Sequence, residues 1–239
     1  MKRSAALIVI LMILSAPALS QFKASERSIY TVISSTAYTA EKKGLYFGSE
    51  GIAFGLSDHT QTTIWGFLGY GSEQNVSIGV GLGFKQSLVQ EKDGIPAISF
   101  DVNYRTIVSP DQNPTLPDLL QPYNVGTFNN AYSFGLSLSK QLTDKVFFHS
   151  AVKLYDYNIP PNIKFDSHLI SFSIENRMND WVRDYAEVNY DMVNEVLNMG
   201  IKFAVAPTDT LRFSLGYMTG ASNSGLTASQ FIFGAAIQF

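Results

Sequence analysis

No cysteine occurs in the 239 residues. That excludes a disulfide framework, a thiolate metal site and lipid attachment through an N-terminal cysteine. Basic residues are scarce too, with 17 Lys and Arg against 20 Asp and Glu. Such a balance supplies no basic face for nucleic acid. Histidine is limited to His59, His149 and His168. Beyond the first residues no apolar run approaches the roughly 20 residues that a membrane-spanning helix needs. What is present in quantity is alternation.

The beginning of the chain has its own pattern. Lys2 and Arg3 precede an apolar run from Ala5 to Leu14, followed by small residues that include Ala18 and Ser20. A positive start, a short apolar stretch and small residues before a cut describe a secretory signal peptide. An uncleaved membrane anchor is the alternative. The expected division is a signal peptide over 1–20 and a single β-barrel over 21–239. Loss of Lys2 and Arg3 leaves 15 basic residues against 20 acidic ones, a formal charge of −5.

From there nearly every segment repeats with period two, the period of a β-strand. "NVSIGVGLGFK" places Val76, Ile78, Val80, Leu82 and Phe84 on one face and Ser, Gly and Lys85 on the other. "AISFDVNYRTIV" sets Ile98, Phe100, Val102 and Tyr104 against Ser99, Asp101, Asn103 and Arg105. "AYSFGLSLS" (131–139) and the segments around Phe172, Phe203 and Phe213 follow suit. The apolar face is large and aliphatic or aromatic. The polar face is rich in Gly and Ser, too small for a wet exterior that favours Lys and Glu. Aromatic residues recur near strand ends (Tyr70, Tyr104, Tyr132, Tyr155, Trp181, Tyr190, Tyr217), where an interfacial girdle places them. These features predict an all-β, antiparallel, up-and-down transmembrane barrel with its apolar face outward. A soluble β-barrel is the rival.

Short Asp-bearing connections ("LSDHT", "EKDG", "LTDK", "MND", "PTDT") alternate with generally longer ones, of which 109–130 is the longest. Short periplasmic turns and longer extracellular loops are the rule for outer-membrane barrels. Counting "SIYTVISSTAYT" (28–39) as the first strand predicts about twelve strands, with ten as the alternative. Residues 44–70 keep no clear parity, and a bulge is the expected cause.

The last residues, "QFIFGAAIQF", put Phe231, Phe233, Ala235, Ile237 and Phe239 on one face. A sheet in a bilayer must close on itself, so the final strand pairs with the first and stays embedded to its end. This tail resembles the carboxy-terminal signal strand of Gram-negative outer-membrane proteins. That resemblance implies the barrel-assembly machinery as a partner during biogenesis, with Phe231, Phe233, Ile237 and Phe239 as the assembly signal. "GLSDHTQTTIWGFLGYG" and "GLGFKQSLVQEKDGIPAISFDVNY" are similar to porin-like outer-membrane families, including the one named for a phenol-degradation pathway. The likeness covers about sixty residues, is mostly hairpin grammar, and implies transport.

Catalysis finds little support. Outer-membrane lipid hydrolases set His and Ser two apart on one strand, because only i and i+2 share a face. His149 is followed by Ser150 and Ala151, His168 by Leu169 and Ile170, and His59 by Thr60 and Gln61. An aspartate–histidine arrangement from distant strands stays open. Without cysteine or a close His pair, no metal or other cofactor is expected.

The inward parity instead offers Lys85, Asp101, Arg105, His149, Lys153, Glu175, Arg177, Arg183, Glu187, Lys202 and Arg212 as candidate lumen-lining residues. Glu175, Arg177, Arg183 and Glu187 are the expected ion-paired set. Such a wall either hydrates a channel for small solutes or pairs up and closes the lumen. Asp111 and Asp118, in the Pro-rich connection 109–130, are candidate pore-loop residues at the mouth. The expected function is a porin-like channel in the outer-membrane bilayer. Alternatives are a non-conducting surface barrel and, last, an enzyme. Solute and oligomeric state are not readable.

Overall fold

The computed structural model describes residues 28, 31–32, 34–48, 51–70, 76–92, 94–108, 130–156, 167–179, 181–193, 195–208, 211–222 and 227–238. The strands are β1 (Gly44–Gly48), β2 (Gly51–Ser57), β3 (Thr60–Tyr70), β4 (Val76–Val89), β5 (Ala97–Val108) and β6 (Asn130–Gln141). They continue with β7 (Val146–Asp156), β8 (Ser167–Arg177), β9 (Val182–Asp191), β10 (Val196–Thr208), β11 (Leu211–Ser222) and β12 (Thr227–Gln238). Each pairs antiparallel with its sequence neighbour, and β12 pairs with β1 to close the barrel. Closure explains the apolar last strand: β12 is paired with β11 on one side and, from Gly234 to Gln238, with β1 on the other.

The two faces separate as the period-two pattern requires. Large apolar side chains point outward on nearly every strand, among them Phe54, Ile64, Leu82, Phe134, Leu136, Phe172, Phe203, Phe213 and Leu215, each 38–63% exposed. The inward set includes Ser99, Ser133, Ser137, Ser139, Ser171, Ser173, Asn189 and Asn198, all buried. A soluble barrel would invert this distribution. A belt of exposed Phe, Leu, Ile and Val around a polar interior is stable only against hydrocarbon.

One end of the barrel, here the lower end, holds the connections β2–β3, β4–β5, β6–β7, β8–β9 and β10–β11. These are the short Asp-bearing turns. At the upper end the strands stop before 71–75, 109–129, 157–166, 192–195 and 223–226, whereas β1 and β2 pair only with the lower parts of β12 and β3.

The strand count matches the expected twelve, but the first strand does not. The described residues of 28–39 (28, 31–32 and 34–39) belong to no wall strand; they lie inside the barrel. The twelfth strand comes from residues 44–57, which fold into two short strands around a tight turn at Gly48 and Gly51. Gly51 has φ +104°, and a Cβ there would meet the backbone of Ile64 and Trp65. This hidden hairpin, and a register shift between Gly55 and Ser57, erased the parity over 44–70. With 28–39 expected as a strand, "AEKKG" (40–44) would be an interstrand loop; it is not. It leads from the lumen into β1.

Candidate functional site: an occupied lumen

Ser28 and the described residues from Thr31 to Ala40 run through the barrel interior. Thr31, Val32, Thr36, Ala37 and Ala40 are at most 2% exposed. Its described residues belong to none of the twelve strands, and Val32, Ser34, Ala37 and Ala40 give their amides to inward side chains. Its first half is a loop: the Thr31 amide donates to Ser34 O at 3.0 Å, and Thr36 Oγ1 donates to Ser28 O at 2.6 Å.

The tip of this loop closes on one carboxylate. Glu187 Oε2 accepts from the Thr31 hydroxyl, from the Val32 amide at 2.7 Å and from the Ser34 amide at 3.3 Å. Glu187 Oε1 lies 2.8 Å from Ser34 Oγ and accepts from Asn189 Nδ2 at 2.6 Å. Two consecutive backbone and hydroxyl donor sets around a buried acid form a strong, charge-assisted latch. Glu187, expected in an ion-paired set with Glu175, Arg177 and Arg183, is an acceptor for the lumenal loop.

The segment then crosses the lumen toward β2. Ala37 donates its amide to Ser139 Oγ at 2.8 Å, Lys85 Nζ donates to Tyr38 O at 2.5 Å, and Ala40 donates to Gln61 Oε1 at 2.9 Å. The Tyr38 hydroxyl donates to Glu91 Oε2 at 2.7 Å, beyond the lower end of β4. At the exit the chain presses on β2, where a Cβ on Gly55 would overlap the Glu41 carbonyl. Only glycine permits that approach.

Glu175, Arg177 and Arg183 lie together on the inner wall. Glu175, 0% exposed, holds Arg177 Nε at 3.1 Å and Arg183 Nη1 at 3.3 Å through Oε1. Arg177 also lies 4.0 Å over the Phe147 ring, and Lys202 lies 4.5 Å over Tyr185. Asp101 pairs with Lys153 at 3.4 Å and accepts from Asn103 at 2.7 Å. Lys85, Asp101, His149, Arg177, Arg183 and Lys202 are buried on the inner face, whereas Arg105, Lys153 and Arg212 are half-buried. Arginine at Ser137 or Ser173, which an open lumen would hydrate, has no room: both are at most 4% exposed.

Period-two reasoning missed several members of the site. Trp65, Phe147 and Tyr185 are aromatic yet face inward, contrary to the rule that large apolar side chains face lipid. Tyr38 packs edge-on against Phe147 and His149, at 6.5 and 5.9 Å between ring centres. A small cavity of about 20 Å³ remains beside the segment, lined by Ser35, Gln61, Trp65, Lys85, Asp101 and Lys153 among others. Asp111 and Asp118 lie outside the described residues, as do residues 1–20 and Phe239.

Cross-strand pairing also creates a contact that the i, i+2 rule could not foresee. Ser139 faces His149 on the neighbouring strand, with Oγ 2.8 Å from Nδ1, and His149 Nε2 lies 3.5 Å from Glu175 Oε2. The order Ser, His, Glu has the outline of a nucleophile with its base and orienting acid. All three are 0–1% exposed, the serine oxygen is capped by the Ala37 amide, and the acid is neutralised by two arginines. In this conformation the trio is part of the packing between the segment and the wall. Among the described residues no group of three or more His, Asp or Glu is arranged to hold a metal ion.

These features define a transmembrane β-barrel whose interior is occupied by its own N-terminal segment. No protein-family model and no curated protein matches the chain. Among solved structures it is similar to the KdgM porin in complex with disordered oligogalacturonate, at 9% identity and TM-score 0.47, covering 82% of this chain and 96% of that one. It is also similar to the NanC porin, at 9% identity and TM-score 0.45, covering 82% and 98%. A further similarity is to the outer membrane channel DcaP of Acinetobacter baumannii, at 10% identity and TM-score 0.36, covering 92% and 70%. The assignment to a closed barrel rests on the strand pairing of this chain itself.

Proposed function

We propose that the chain is an outer-membrane barrel of a Gram-negative cell, exported by the signal peptide at 1–20, and that it works as a porin-like channel for small solutes. The observation that carries this reading is a closed barrel with an apolar belt outside and charged groups on the inner wall. The lower end is then periplasmic, the upper end extracellular, and the described residues between Ser28 and Ala40 constrict the lumen from the periplasmic side. Phe231, Phe233, Ile237 and Phe239 serve as the assembly signal, and Asp111 and Asp118 belong to a loop at the outer mouth.

Conductance in planar bilayers tests the channel. The full chain should show small or intermittent current, and a variant lacking residues 28–39 should show larger, steadier steps while remaining a heat-modifiable folded barrel. A folded deletion variant that conducts nothing would refute the channel. That result would favour the alternative of a structural barrel, for which the buried Glu175–Arg177–Arg183 cluster is the supporting observation.

A further inference from the structure

Ser139, His149 and Glu175 stand together on the lower part of the inner wall, one from each of β6, β7 and β8. Ser139 Oγ lies 2.8 Å from His149 Nδ1, and His149 Nε2 lies 3.5 Å from Glu175 Oε2. Arg177 and Arg183 both hold Glu175 through Oε1, which turns Oε2 toward the imidazole. A proton on Nε2, facing that oxygen, leaves Nδ1 to accept from the Ser139 hydroxyl. The ring thus presents a base to the serine and a donor to the acid. Its two nitrogens are interchanged relative to the serine-protease order, but each still meets the partner its role needs.

The lumenal segment lays one peptide group on this trio. The Ala37 amide donates to Ser139 Oγ at 2.8 Å, and the Ser99 hydroxyl donates to Thr36 O at 3.5 Å. The Thr36–Ala37 amide therefore sets its carbonyl oxygen at one hydroxyl and its nitrogen at the other. An acyl compound held between a nucleophile and an oxyanion donor occupies the same two places.

The side chains around that peptide supply an apolar seat. Ala37 and Tyr38 of the segment form one buried cluster with Ala97 and Phe147 of the wall. Ala97 stands opposite Ser139 in the β5–β6 ladder, and the Phe147 ring stacks on His149 at 6.4 Å between centres. Withdrawal of the segment leaves Ala97 and Phe147 as a small apolar surface beside the serine. The vacated space is that of a methyl group and a phenol ring, which suits a short acyl chain.

We propose that Ser139, His149 and Glu175 form a latent hydrolase of short-chain acyl esters in the lumen, masked by the Thr36–Ala37 peptide. With the segment withdrawn, Ser139 Oγ attacks the ester carbonyl carbon while His149 Nδ1 takes its proton. The Ser99 hydroxyl holds the oxyanion. The bond to the alcohol oxygen breaks, and the imidazolium returns the proton to that oxygen. Water, deprotonated by His149, then attacks the acyl-serine; the carboxylic acid leaves and Ser139 regains its proton from the imidazolium. Glu175 touches only the imidazole and is a positioning residue. This goes beyond conduction and does not rest on it, since a barrel that passes no current still acylates an unmasked Ser139.

Ala37→Pro unmasks the serine directly, because proline has no amide hydrogen and its ring fills the space in front of Ser139 Oγ. Parent and Ala37→Pro barrels, folded in detergent micelles, are treated with an alkyl fluorophosphonate, and the adduct is placed by peptide mass. The adduct should lie on Ser139, form roughly tenfold faster in Ala37→Pro, the worth of one amide bond, and vanish when His149→Gln is added. The Ala37→Pro barrel should also hydrolyse p-nitrophenyl butanoate and spare the hexadecanoate ester. Glu187→Ala, which frees the loop at its tip, gives a second route to the same exposure where the proline variant does not fold. In either unmasked barrel Glu175→Gln should lower kcat for the butanoate ester and leave KM unchanged, since the acid does not touch the ester; a loss confined to KM would overturn its positioning role. A folded, unmasked barrel without an adduct at Ser139 would overturn the hydrolase. Equal labelling of Ser137 and Ser173, or labelling that persists in His149→Gln, would do the same.

Discussion

Removal of the Glu187 carboxylate should release the lumenal loop without opening the barrel. Glu187 takes four hydrogen bonds from that loop: the Thr31 hydroxyl, the Val32 and Ser34 amides and the Ser34 hydroxyl. Hydrogen bonds to a charged acceptor contribute about 1.5–3 kcal/mol each, but losses within one network do not add. Water reaching the freed donors recovers part of the loss. A net effect equal to one or two bonds, about 3 kcal/mol, lowers the docked-to-released ratio roughly a hundredfold. Glu187→Ala delivers this change. Glu187→Gln should do less, because one amide oxygen still accepts and Asn189 can turn to match the new donor. Hydrogen exchange at the Val32 and Ser34 amides reads the effect directly, since both point at the lost carboxylate. They should exchange roughly a hundredfold faster in the alanine variant if exchange follows release of the loop. Amides in the β8–β9 ladder, which closes independently of the loop, should keep their rates. Unchanged exchange at Val32 and Ser34 in a folded Glu187→Ala barrel would show that this carboxylate does not hold the segment.

Gly55→Ala should lower barrel stability by about 1–3 kcal/mol, as overpacking does, because the new methyl group meets the backbone of Ala40 and Glu41; equilibrium urea unfolding in vesicles would register it, and a neutral result would mean that the exit of the segment shifts freely. Phe172→Arg should destabilise by roughly 2–4 kcal/mol if its half-exposed ring lies near mid-bilayer; a barrel as stable as the parent would move Phe172 out of the membrane. Deletion of Phe239 should reduce the amount of folded, heat-modifiable protein recovered from the outer membrane, and full recovery would remove this residue from the assembly signal.

Much of the wall was legible because a strand has only two faces. Alternation at Phe134, Phe172, Phe203 and Phe213 could be read residue by residue, and the structure places each outward. The same rule located Lys85, Asp101, Glu175, Arg177 and Arg183 on the inner face. It failed where period two carries no information. A strand spends its backbone on neighbouring strands, whereas Val32, Ser34, Ala37 and Ala40 give their amides to side chains, and the two cases share a similar mix of Ser, Thr and apolar residues. The short hairpin at 44–57 was hidden for a related reason: a turn at Gly48 and Gly51 reverses parity within a few residues, so no face accumulates.

Local sequence therefore determined that this chain makes amphipathic strands, and closure followed, because a bilayer leaves no edge unsatisfied. Tertiary structure alone decided which segment would be wall and which would be content. That choice depends on distant pairings: Glu187 with the loop at 31–34, Gln61 with Ala40, Ser139 with Ala37. It also decided that residues 44–57 supply two short strands, of five and seven residues, in place of one. Both outcomes turn on contacts between residues far apart in the chain, and period-two reading sees only neighbours.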